Sequence, residues 1–522
     1  MLLLAADTAA GPEALRVLGI IVAALCAATA ILAGGPAQRA WGMLGALAVT
    51  PVLLVLSIWY APQLAHVREH PLIVLAAGLV VATIVVVPLA LLFDRRRAWL
   101  PLVALAALPF RVPVEAGGQT ANLLVPLYLV IAAAALAWAV PRIRAPEGFE
   151  PPTANGWLEK LLAASLVLYA FQSAYSASVD IALEQTVFFY VPFALLFVVL
   201  RDIEWTPKRL QASLMVLLGL AVIFVAVGFV EYATRTLLFN PRVIASNELE
   251  PYFRVNSLFF DPNIYGRFLV VVMLGLAAVL LWVREAKYVA GAVAALALLW
   301  GGLLLTLSQS SYAALVAGLF VLAALRFPPW RVGFALLGAA IAGLVVVLAF
   351  SSSLGLDFGN AKKLDDATSG RYDLMRGGVE LAADRPVWGW GSGAFAKEYL
   401  AHDYGGSRDA VAASHTIPIT VSAEQGVIGL VLYVALLLTA LWRLAAGARG
   451  DPYRAVVLAG VVGIIVHTWM YAAFLEDPLV WALLAVGVAL ARRGPRVRAR
   501  SAPSPDGRTR SPAPPSARTA AG

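Results

Sequence analysis

His415 is the residue best placed to do chemistry in this chain. It is followed by Thr416, nine residues, and then Gly426-Val-Ile-Gly429. An imidazole with an ordinary pKa near 6.5 accepts a proton near neutral pH, so it suits a general base for a hydroxyl. If residues 415–429 form one helix, the eleven residues from His415 to Gly426 turn through about 1100° and return to within ~20° of the same face. Imidazole and glycine would then line one side, with Gly429 close by and a groove beside the histidine. Glu424, nine residues on, would lie about 180° away. A histidine that merely caps a helix, or anchors it at the membrane interface, fits the same spacing.

The elements that must position this histidine are membrane helices. The chain of 522 residues is 61% hydrophobic and only 13% charged, with a mean hydropathy of +0.82, far outside the soluble range. Apolar runs predict helices near 14–33, 40–60, 72–93, 98–110, 121–140, 157–174, 183–200, 209–231, 264–283, 288–306, 310–326, 331–351, 420–445, 455–475 and 477–491. This is an all-α polytopic bundle of about 12–15 transmembrane helices, the short run at 98–110 being a candidate re-entrant segment. Lys and Arg gather in every second loop, at 94–97, 142/144, 201–209, 284/287, 326/331 and 443–454, which marks the cytoplasmic face. The same alternation puts the loop near 232–263 and the polar stretch from Ser351 to His415 outside.

Four regions follow: N-terminal transmembrane helices over 1–350, an extracytoplasmic loop over 351–419, C-terminal helices over 420–491, and a tail over 492–522. The tail has eight Arg and one Asp and is rich in Pro, Ser and Ala, so it reads as a disordered cytoplasmic segment beside anionic lipid. Without interleaved aromatic residues it does not read as a nucleic-acid arm. Cys26 is the lone cysteine and lies in an apolar run, so no intramolecular disulfide forms.

Within the polar stretch, Arg371–Asp384 has helical periodicity, with Tyr372, Leu374, Met375, Val379 and Leu381 apolar, and ends before Pro386. It predicts an amphipathic helix lying on the bundle or the membrane surface, with Arg371 in its first turn. Pro386-Val-Trp-Gly-Trp-Gly-Ser-Gly-Ala-Phe395 follows, a tight glycine-rich backbone with two tryptophans. No strand precedes it, so it is not a dinucleotide-binding turn.

These motifs, in this order, resemble a known family. Ser369-Gly370-Arg371, the Pro386–Phe395 run and His415-Thr416-x9-Gly426-Val-Ile-Gly429 are similar to the C-terminal signature of the O-antigen ligase and polymerase superfamily. Arg254-Val-Asn-Ser-Leu-Phe-Phe-Asp-Pro262-Asn263-Ile-Tyr-Gly266 resembles that family's arginine ahead of a Pro-Asn pair, and the likeness spans roughly 210–490. It implies a GT-C-like glycosyltransferase of the bacterial inner membrane, with its active site on the extracytoplasmic side. Such an enzyme moves a glycan from an undecaprenyl diphosphate carrier to an acceptor glycan, glycolipid or protein, with no metal, cofactor or nucleotide sugar. On that resemblance His415 is the base or acceptor-orienting group, while Arg371 and Arg254 hold the diphosphate with charge that cannot be titrated away. Asn263, Thr416, Glu424, Gly426 and Gly429 support them. Two departures stand out: Thr416 replaces the usual Asn, Ser or Gln, and Ser308-Gln309 replaces a Ser-Arg pair, which makes Arg376 or Lys397 the candidate substitute.

Two further polar features carry other readings. His66-Val-Arg-Glu69-His70 fits a short zinc-peptidase pattern but lacks a third ligand nearby. His467, inside an apolar helix, is either a functional group at depth or one packed against a backbone carbonyl. A transporter or flippase of lipid-linked or polar substrates is the alternative function. It would place charges at the bilayer midplane in repeated halves, whereas this chain concentrates them outside.

Overall fold

The computed structural model describes residues 2–58, 71–110, 112–116, 119–149, 155–238, 243–244, 247, 252–331, 333, 371–402, 404 and 416–492. The helices are α1 (Leu2–Leu32), α2 (Pro36–Ile58), α3 (Pro71–Arg95), α4 (Trp99–Ala107), α5 (Val125–Arg144), α6 (Trp157–Gln172), α7 (Val179–Arg201) and α8 (Pro207–Thr234). They continue with α9 (Pro262–Trp282), α10 (Ala286–Thr306), α11 (Gln309–Arg326), α12 (Arg371–Asp384), α13 (Phe395–Ala401), α14 (Ile417–Ala445), α15 (Pro452–Trp469) and α16 (Pro478–Ala491). Nine of the described helices are long and apolar enough to cross a membrane. The chain is a multi-pass membrane helical bundle.

Each expected run within the described residues is helical, with ends displaced by a few residues. One stretch departs from the expectation. Instead of a helix from 121, Val112–Ala116 pairs antiparallel with Gln119–Leu123 in a short hairpin, joining the nine-residue α4 to α5. In the sequence, the Gly-Gly pair between the two strands and the β-branched, alternating Val112 and Val114 favour a hairpin over a helix. Nearly all of the expected helix at 331–351, the tail beyond Arg492, and the His66–His70 loop lie outside the described residues.

Two cores fill the bundle. One joins α1, α2, α5, α6, α7, α14, α15 and α16, and the other joins α8 to α11 with α15. The described parts of the 351–419 region are docked on the bundle. Leu374 and Leu381 of α12 bury against Phe395, Tyr399 and Ala423, while Met375 and Val379 stay exposed. The expected apolar side of α12 therefore divides: its leucines face the bundle, while Met375 and Val379 do not.

The two ends of the bundle differ. At one end, buried Glu159 meets Arg443 (2.9 Å), Arg492 (3.6 Å) and Arg201 (3.9 Å). At the other end three loops converge: 252–261, 386–394 and 470–477.

Candidate functional site

The 252–261 loop is held from both sides. Buried Glu231 of α8 accepts a hydrogen bond from Ser257 N at 2.7 Å, at a left-handed serine (φ 53°). Asn247 clasps Arg254, its Oδ1 accepting from Arg254 N at 2.9 Å and its Nδ2 donating to Arg254 O at 3.0 Å. Arg254 Nε then donates to Thr306 O at 3.0 Å, and Nη2 reaches Asn263 Oδ1 at 3.5 Å. Thr306 ends α10, Leu307 turns left-handed (φ 50°), and Ser308 caps α11 through Ser311 N. The guanidinium thus lies where α10 finishes and α9 and α11 begin. Asp261 and Ser308 cap the N-termini of α9 and α11, so the positive charge of this corner comes from the Arg254 guanidinium.

Asn263 links this corner to a buried polar chain. Its Oδ1 also accepts from Ser308 Oγ (2.8 Å), and its carbonyl is 3.1 Å from His467 Nε2. His467 Nδ1 accepts from Arg267 Nε at 3.2 Å, so the ring proton belongs on Nε2, 3.2 Å from Ser310 and Ser311 Oγ. Arg267 pairs with Asp477 and donates to the carbonyls of Ala472 and Ala473, both at 3.0 Å. Ala473 is left-handed (φ 69°), an unfavourable geometry for a residue with a side chain, and Arg267 holds it there. His467 is therefore packed on a backbone carbonyl, and it also belongs to a fully buried relay between loops.

The second half of the site corrects the helical reading of 415–429. The helix starts at Ile417 and breaks at Gly426, whose φ of 65° and ψ of −165° are non-helical, so residues 417–429 do not form the single smooth helix on which that spacing argument rested. The 386–391 segment supplies the hydrogen bonds that the break releases. Val427 N donates to Pro386 O (2.7 Å), Trp390 N to Ala423 O (2.9 Å) and Gly391 N to Glu424 O (2.8 Å). Approach is so close that a Cβ on Gly389 would meet the Glu424 backbone at 2.4 Å. Glu424 Oε1 accepts from Phe395 N at 3.1 Å, and Ser392 bonds back to Tyr169 O at 2.7 Å. The Trp-Gly-Trp-Gly run is a brace for a discontinuous helix.

Beside the break is a cavity of about 270 Å³ between α6, α7, α14 and the 470–477 loop. Glu424, Gln425 and Gly429 line one wall, Glu476 and Phe474 another, and Gln185 and Tyr190 a third. A stretch of wider π-helical winding over Thr186–Tyr190 carries that third wall. Burial pushes the Glu476 carboxyl up to about 7, against the opposing pull of Arg267.

The expected site residues fare differently. Arg254, Asn263, Glu424, Gly426 and Gly429 all lie at this end, the first two joined directly and the last three joined through the break. Thr416 Oγ1 donates to Trp469 O at 3.2 Å, tying the start of α14 to the end of α15. Arg371 opens α12. His415, Ser369 and Gly370 fall outside the described residues. Arg376 points away, paired with Glu380 at 3.0 Å with 66% and 42% of the two side chains exposed. Lys397 bonds Ala177 O at 2.6 Å. Sequence reasoning passed over Arg267, Asp477 and Glu476, and it read the Ser308-Gln309 pair only as a departure from the family pattern. The available signal was one arginine five residues into an otherwise apolar run, since a charge there demands a partner.

Comparison with known proteins agrees with this architecture. Residues 294–434 match the family model described as O-antigen ligase. A search of curated proteins gives no match. The matched stretch takes in most of α10, all of α11, the brace and the broken part of α14, so the likeness to that family falls on the segment that builds this end of the bundle.

Proposed function

We propose that the protein is an extracytoplasmic glycosyltransferase of the inner membrane, taking a glycan from an undecaprenyl diphosphate carrier and transferring it to an acceptor hydroxyl without a metal. The observation that carries this reading is the convergence at one end of the bundle. Arg254, two helix N-termini and the family-matched broken helix meet there, on the side opposite the Arg-rich end. Arg254 and Arg371 would hold the diphosphate as it leaves, and His415 would take the acceptor proton or orient that hydroxyl. Asn263 and Ser308 fix the Arg254 side of the site. The brace and Glu424 fix the start of α14, which follows His415 directly.

The test is transfer from an undecaprenyl-diphosphate glycan by purified, membrane-inserted variants. His415→Ala and Arg371→Ala should each abolish most turnover, and Arg254→Ala should weaken donor use. Near-normal turnover in the first two would overturn the assignment, and a strict dependence on added divalent ions would overturn the metal-independent chemistry.

A further inference from the structure

The cavity beside the break has no part in holding a diphosphate. Its described lining contains no lysine, arginine or histidine, and two carboxyls face it. Its chemistry is that of a hydroxyl-rich ring. Carboxylate oxygens accept from hydroxyls, side-chain amides accept and donate at once, and aromatic faces cover the apolar side of a sugar.

The lining supplies all three. Tyr169 OH donates to Gln185 Oε1, so the Gln185 amide nitrogen, whose two N–H groups can only donate, is left for the cavity. Gln425 lies against Gly429, where any larger residue would displace it, since a Cβ there would meet the Gln425 side chain at 2.2 Å. Glu424 is already engaged by the Phe395 backbone, whereas no described side chain is hydrogen-bonded to Glu476. Phe189, Tyr433 and Phe474 provide ring faces. A volume of about 270 Å³ is just below the ~300–1,000 Å³ of drug-sized sites, which suits one ring rather than a chain. Ile417 lines this cavity and is two residues from position 415.

We propose that this cavity is a monosaccharide subsite, in which the Glu476 carboxyl and the Gln185 and Gln425 amides take the hydroxyls of one terminal sugar of the glycan substrates. It deepens the glycan-transfer reading and rests on it. The sugar belongs either to the carrier-linked donor or to the acceptor, and the chemistry is shared.

Two measurements on the full-length protein in nanodiscs test this. In saturation-transfer NMR, a panel of free glucose, galactose, mannose, rhamnose and N-acetylglucosamine is the probe. At least one should receive signal from the wild type, lose it in Glu476→Ala and Gln185→Leu, and keep it in the exposed control Glu380→Gln. Silence from every sugar in the wild type, or signal untouched by both cavity variants, overturns the subsite. In the transfer assay, Glu476→Gln should raise one KM by about tenfold, the worth of one hydrogen bond to a charged group, with kcat changed less. A rise confined to the acceptor assigns the subsite to the acceptor, and one confined to the donor assigns it to the donor. Both KM values unchanged overturns the subsite even if His415→Ala abolishes transfer, in which case the glycan-transfer reading stands alone. Sugar binding without any transfer in the wild type would instead sink that reading while keeping the subsite.

Discussion

Gly426→Ala isolates the break in α14 with one methyl group. The backbone at φ 65°, ψ −165° is open essentially to glycine, so a side chain there costs about 1–3 kcal/mol before any contact is counted. The new Cβ would lie 2.2 Å from Val387 O and 2.4 Å from its carbonyl carbon, both backbone atoms, so the brace must retreat. Retreat loosens three hydrogen bonds, from Val427, Trp390 and Gly391, each contributing about 0.5–1.5 kcal/mol net. The total is roughly 3–7 kcal/mol, a large part of the ~5–15 kcal/mol that stabilises a typical native protein. Thermal unfolding in nanodiscs, followed by tryptophan fluorescence from Trp388 and Trp390 among others, reads the loss. Gly219→Ala is the control, because that glycine lies inside α8 with open space around its Cβ position. It should be neutral or stabilising by up to about 1 kcal/mol. A Gly426→Ala protein melting within about 1 kcal/mol of wild type would refute the claim that the break and brace require glycine.

Other expectations follow from the same end of the molecule. Arg267→Met strands Asp477 and His467 in a buried environment and should destabilise by about 3–5 kcal/mol, measured as a fall in unfolding midpoint, whereas the double variant Arg267→Met/Asp477→Leu should recover part of it. Arg376→Ala breaks an exposed ion pair with Glu380 and should change stability by less than about 1 kcal/mol in the same assay. The Glu476 carboxyl is raised from 4.5 to about 7, so the folded protein binds this proton more tightly than the unfolded chain. Its contribution to stability is fully present below about pH 4.5 and is lost as pH rises through about 7. Unfolding midpoints between pH 5 and 8 should therefore fall more steeply in wild type than in Glu476→Gln, and parallel slopes would contradict it.

The helices were legible because hydrocarbon selects long apolar runs and little else. Arg254 and Asn263 were legible through motif order, and their joint place was not, since Thr306 and Ser308 come from a segment more than forty residues away. Gly426 was misread as part of a smooth helix for a physical reason. Glycine is ordinary inside membrane helices, and the break appears only when the 386–391 backbone arrives to satisfy it. Arg267 was hidden by averaging, one charge diluted in an apolar window. The hairpin at 112–123 had a local signal in Gly117-Gly118, masked by the apolar residues that follow.

The ion knot at the Arg-rich end has a consequence for how the protein is made. Glu159 leaves the ribosome 42 residues before Arg201 but 284 before Arg443 and 333 before Arg492. At synthesis rates of about 5–20 residues per second, its closest partner arrives roughly 15–60 seconds later, with Arg201 as the early substitute. A carboxylate buried at helix α6 thus stays short of its closest counter-charge until α14 has been threaded in. Chains stopped before Arg443 carry an exposed defect at the membrane surface, so the knot marks a finished protein and leaves an unfinished one open to proteolysis.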